Sequence, residues 1–116
     1  MIRRELPTDC DGLVEVEVDR PLGSVYPEDS DLIYELNCGF VRGLSGKEGR
    51  GLEAFIVGVC DAVLAFRGVV IAVVRRNGGR EEILVVAPEG MHFSKQQVIE
   101  QIRFQERFFD SEVELI

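Results

Sequence analysis

"GVVIAVVRRNGGREEILVVA", residues 68–87, holds two apolar runs separated by Asn77-Gly78-Gly79. Asn and Gly tolerate positive φ, so this reads as a β-hairpin, with strands over 68–76 and 81–87. Working outward, "EAFIVGVC" (53–60) reads as another strand, entered from the glycine-rich stretch "SGKEGRGLEAF" (45–55). Before it, "LIYEL" (32–36) and "GFVRGL" (39–44) look like short strands, with Asn37, Cys38 and Gly39 at the turn between them. "LVEVEV" (13–18) alternates strictly, putting Val14, Val16 and Val18 on one face and Glu15 and Glu17 on the other. Residues 19–31, "DRPLGSVYPEDSD", hold two prolines and a glycine and read as a long loop. After the hairpin the period changes. Ser94 and Gln97 form a capping box, and Val98, Ile99, Ile102, Phe108 and Phe109 fall on one broad helical face. "SEVELI" (111–116) closes the sequence as a short strand. About six strands and one late helix predict a mainly β fold with α: a small OB-like β-barrel with a C-terminal helix packed on it. Residues 1–116 form one domain, since no linker or repeat divides them.

The composition narrows the function. A net charge of -8 disfavours broad nucleic-acid binding, which needs a basic surface to displace counterions. The longest clean apolar run, "VVIAVV" (69–74), is too short to span a bilayer, and "MIRREL" lacks the apolar core of a signal peptide. Three cysteines, Cys10, Cys38 and Cys60, show no metal-ligand spacing and read as packing residues. A cytoplasmic setting with no membrane partner is expected. His92 lies before the helix with no neighbouring nucleophile, and "RPLGSVYP" lacks the glycine pattern of a nucleotide-phosphate loop.

Three segments carry a resemblance. "YELNCGFVRG" (34–43) is similar to the Tyr-x-x-Asn-Tyr-Gly-Tyr segment of the soluble family I inorganic pyrophosphatases. "EGRGLEAFIVGV" (48–59) resembles their Asp-x-Asp-x-x-Asp signature, and "EEILVVAPEG" (81–90) resembles the strand bearing an acidic residue followed two positions later by a lysine. "DRPLGSVYP" and "FQERFFDSE" resemble a compact subgroup of that family, so the likeness covers about residues 14–110. It implies hydrolysis of diphosphate to two phosphates with Mg2+, held by converging carboxylates because magnesium takes oxygen ligands. Carried over residue by residue, the metal set falls on Glu17, Glu48, Glu53 and Glu81. Glu48 and Glu53 are then also the catalytic carboxylates, and Arg20, Tyr34 and Arg50 the substrate-binding groups.

The same positions depart from the pattern. Arg50 stands where the middle aspartate belongs and cannot ligate a metal; beside it a divalent ion would be disfavoured by on the order of 8 kcal/mol. Ile83 replaces the lysine, no carboxylate stands at Arg76 or Asn77, and Cys38 and Phe40 replace tyrosines. Plain structural roles also fit: a solvated loop for Glu48, Arg50 and Glu53, solvent-facing strand positions for Glu17 and Glu81, and an ion pair of Arg20 with Glu35 or Glu53. Three functions stay open: a pyrophosphatase with weak or lost activity, a non-catalytic binder of a phosphorylated small molecule, and a structural or regulatory relative of an active enzyme. Whether it is an enzyme, and whether it forms a homo-oligomer, is left open by the residues.

Overall fold

The computed structural model describes residues 12–26, 32–41 and 52–116. Strands β1 (Val14–Arg20), β2 (Asn37–Val41), β3 (Leu52–Ile56), β4 (Ala65–Arg76) and β5 (Glu81–Ala87) precede helix α1 (Lys95–Glu106) and strand β6 (Ser111–Leu115). They form one sheet in the order β1-β2-β3-β5-β4-β6, and a further antiparallel pairing of β1 with β4 closes the first five into a ring. Among the described strands only β3 and β5 run parallel. This is the barrel with a helix on it that the pattern predicts.

The strict alternation in β1 is realised: Val14, Val16 and Val18 fill the barrel with Leu52, Ala54, Ile56, Leu84 and Val86. β4 serves two surfaces because its register shifts between Val70 and Ala72. An inserted residue changes which side chains face inward and bends the strand. Val70 and Val73 therefore enter the barrel, whereas Ala72 and Val74 face outward toward the helix. The first part of β4 pairs with β1 and the last part with β6. The hairpin turns through Asn77, Gly78 and Gly79, all at positive φ.

Helix α1 begins at Ser94, whose hydroxyl accepts from Gln97 N while Ser94 N donates to the Gln97 side chain, the reciprocal box expected. Val98, Ile102 and Phe104 pack over the outer face of the sheet, against Phe55, Ile83 and Val85. Three expectations are corrected. The helix ends at Glu106, so Phe108 and Phe109 follow it and are exposed rather than completing its buried face. Asn37 and Gly39 lie inside β2 and form no turn, and "LIYEL" contributes only one isolated bridge, Ile33 with Val25. The buried Asn37 amide is occupied elsewhere: its Oδ1 accepts from Leu22 N (2.9 Å) and Val63 N (3.2 Å), and its Nδ2 donates to Asp61 O (2.9 Å). One side chain thus ties two loops to the strand.

Candidate functional site

On the outer face of the barrel, cross-strand register sets three side chains in a row: Glu17 opposite Phe40, and Phe40 opposite Glu53. Arg20 joins them through a second bulge. The register runs from Val18 opposite Gly39 to Arg20 opposite Cys38, leaving Asp19 as the extra residue. Without it Arg20 would share the parity of Val18 and point into the barrel. With it the guanidinium lies on the outer face, where a bulge commonly re-aims a side chain. Pro21, which cannot donate to a ladder, ends the strand there.

Arg20 is held from several sides. Its Nε donates to Asp19 Oδ1 (3.2 Å), one terminal nitrogen donates to Tyr34 Oη (3.4 Å) and the other to Glu53 Oε2 (3.4 Å). Its guanidinium carbon stands 5.5 Å from the Tyr34 ring centre and 5.8 Å from that of Phe40. Tyr34 in turn stacks on Tyr26 at 4.3 Å and 18°. A short ladder holds both tyrosines: Tyr34 N donates to Ser24 O, Tyr26 N to Leu32 O, and Gly23 N to Tyr34 O. The Tyr26 hydroxyl is buried without a hydrogen-bond partner, and burial pushes its pKa up to about 12. The Arg20 side chain keeps 25% exposure and that of Glu53 36%, so an ion pair this long and wet contributes at most about 1 kcal/mol. A ligand can compete with it.

The structure therefore brings Arg20, Tyr34 and Glu53 together, and sets Glu17 in the same cross-strand row. Glu81 has the parity of Ile83 and Val85, and Val85 pairs with Phe55, so Glu81 and Glu53 share the outer face. Glu81 lies near the hairpin, where its carboxylate accepts from Asn77 Nδ2 (3.1 Å). Glu48 and Arg50 lie outside the described residues. Among the described residues no three His, Cys, Asp or Glu side chains are grouped to hold a metal ion. Asp19 and Glu53, the two carboxylates at Arg20, are both engaged by that guanidinium. A divalent ion placed there would face that positive charge as well as the two carboxylates, so the described residues do not by themselves fit a magnesium centre.

Three participants escaped the sequence reading. Asp19 and Tyr26 fall in a stretch that reads as a loop; the bulge that enlists Asp19 and the stacking on Tyr34 that enlists Tyr26 follow from pairing that no local pattern shows. Arg76, where the resemblance would place a carboxylate, is buried and forms a two-pronged pair with Glu106, whose Oε1 also accepts from Ser111 Oγ at 2.6 Å. The Phe109 ring covers that guanidinium at 4.0 Å. Ile83, where the resemblance would place a lysine, is 2% exposed within the apolar layer under α1.

No protein-family model matches the sequence, and no curated protein matches it either. Solved structures do match. The inorganic pyrophosphatase of Ehrlichia chaffeensis superposes with a TM-score of 0.70 at 11% identity, covering 98% of this chain and 93% of that one. That of Coxiella burnetii gives 0.62 at 14%, covering 93% and 86%, and that of Helicobacter pylori gives 0.56 at 14%, covering 99% and 88%. Sequence is shared at about the level of unrelated chains while the path of the backbone is kept nearly end to end, so the chain has the fold of the family I inorganic pyrophosphatases.

Proposed function

We propose that this protein is a pyrophosphatase-fold binder of diphosphate or a related phosphorylated small molecule, with weak or lost hydrolysis. The observation that supports it is the Arg20–Glu53 pair. The carboxylate that the family pattern would assign to a metal is instead a partner of a guanidinium, and that guanidinium is the group suited to grip a phosphate in a forked, two-bonded way. Tyr34, donating or accepting through its hydroxyl beside Arg20, would hold a second phosphate oxygen. Ile83 supports the same reading from the other side: an isoleucine offers no ammonium to a leaving phosphate, and its place in the core leaves little room for one.

Charge sets the expected strength. Arg20 already faces two carboxylates, Asp19 and Glu53, so an incoming anion has to displace one of them. Binding of bare phosphate is then weak, and removing the competitor strengthens it. Calorimetry with pyrophosphate on three proteins tests this. The parent should bind, Arg20→Gln should lose binding, and Glu53→Gln should bind about three- to tenfold more tightly, since a charge-assisted competitor is gone. Phosphate release measured with magnesium, manganese and cobalt in turn should stay far below about 10 per second, the typical enzyme median. Turnover near that figure, lost in Glu53→Gln, would restore the hydrolase reading. Absence of pyrophosphate binding in all three proteins would leave a structural or regulatory role.

A further inference from the structure

Helix α1 and strand β6 leave between them a groove of about 500 Å³, lined by none of the residues around Arg20. Its floor is apolar: Ile102 and Val113 are buried, Ile99 is part-exposed and Phe109 is exposed beside them. Along the helix, Lys95, Ile99, Ile102, Arg103 and Glu106 recur at spacings that place them on one face. Lys95 stands at the start of the groove, and Arg103 and Arg107 stand at its far end.

The chain carries 21 Asp and Glu against 13 Lys and Arg. In such a protein a cation finds a carboxylate easily, as Arg20, Arg75 and Arg76 do. Among the described residues Lys95 and Arg103 show no ion pair, and Arg107 lies by the ring of Phe108, at 4.9 Å. Glu106 does not neutralise them, because its carboxylate is already bonded to Arg76 and Ser111. The negative end of the helix does so only in part. Its last-turn carbonyls are taken by the N–H groups of Arg107, Phe108 and Phe109. Arg103 and Arg107, one turn or about 6 Å apart along the axis, repel each other mildly when nothing lies between them.

We propose that this groove binds a small amphipathic anion. A flat or short-chain apolar body lies on Ile99, Ile102, Phe109 and Val113, and a carboxylate or phosphate head sits between Arg103 and Arg107. The volume suits such a ligand, and an apolar lining with a few placed charges is the usual character of a small-molecule site. Glu112 on the strand wall sets the orientation, since it repels the head from that side. Inorganic phosphate, lacking the body, gains little here, which separates this groove from the site at Arg20.

Calorimetric titration of the full chain with phenyl phosphate, benzoate, benzyl alcohol and inorganic phosphate tests the proposal. Phenyl phosphate or benzoate should bind the parent, and the tighter of the two identifies a phosphate or a carboxylate head. Benzyl alcohol should bind at least about tenfold more weakly than the tighter acid, because the head supplies charge-assisted bonds. Arg103→Gln/Arg107→Gln, at two exposed positions, should weaken the acid at least about tenfold, whereas Arg20→Gln should change it by less than about twofold. Backbone amide shifts on titration should cluster in residues 95–113. The proposal is overturned if neither acid binds, if the double variant binds as the parent does, or if the shifts gather around Arg20 and Tyr34.

Discussion

Arg76 is 4% exposed and Glu106 7%, so a full ion pair lies in the layer between sheet and helix. Such a pair is costly to bury and costly to break, because removing one member strands the other in an apolar setting. Its geometry is complete: both prongs of the guanidinium reach the carboxylate, Ser111 adds a third bond, and Phe109 covers the outer face. Glu106→Gln should therefore destabilise the protein by about 3 kcal/mol or more, read as a lower urea midpoint with an unchanged slope. Arg76→Met/Glu106→Leu should recover most of that loss, since the pair is replaced by apolar contact rather than broken. A double variant as unstable as the single one would mean that the charges themselves hold α1 in place. None of this was readable beforehand. The departure at Arg76 stood out in the sequence, but its partner is 30 residues away on an element whose packing face depends on where the helix stops.

Strand β2 shows how one residue type serves two different purposes. Gly39 looks like a turn residue beside Asn37, yet it lies in mid-strand without positive φ. The reason is proximity: a Cβ built there would stand 1.9 Å from the backbone oxygen of Glu17 on β1. Glycine is required because another backbone approaches, a use that sequence alone does not separate from a turn. Gly39→Ala should thus force β1 away from β2 next to the bulge that aims Arg20. A stability loss of about 3 kcal/mol is expected, at the upper end for overpacking, with faster amide exchange in Val16 and Val18. Wild-type exchange in those amides would refute the argument. Helix α1 was legible for the opposite reason, because its start is coded locally. Ser94→Ala should cost about 1 kcal/mol by removing the acceptor for Gln97 N, measurable by denaturant titration. Its end was misread because Phe108 and Phe109 continue the apolar period after the backbone has left the helix.

At the scale of the whole molecule, the hairpin and the alternation in β1 indicated a barrel, but not how it closes. Closure needs β1 to meet β4 and β3 to lie parallel to β5, contacts between distant segments whose apolar strands would pair equally well in other orders. Tertiary enclosure also moves the proton equilibria, and Cys38 reports it. The thiol is buried between the outer sheet face and the tyrosines, and loss of hydration pushes its pKa from 9.0 up to about 12. Arg20 opposes that rise and Glu53 adds to it. Above pH 9 the unfolded chain gives up this proton while the folded chain keeps it, so the folded state binds more protons. Stability is then whole below about pH 9 and falls as pH climbs toward 12, by an amount on the order of a few kcal/mol if Cys38 acts alone. Tyr26, raised from 10.0 to about 12, acts in the same direction over the upper part of that window. Urea midpoints measured across the window on the parent and on Cys38→Ala isolate the thiol together with its coupling to Tyr26, because the remaining alkaline titrations are common to both. The parent should start more stable and lose ground on Cys38→Ala as pH rises. Parallel profiles would show that the thiolate is accommodated, which this enclosure forbids unless Tyr34 and α1 part from the sheet to admit water.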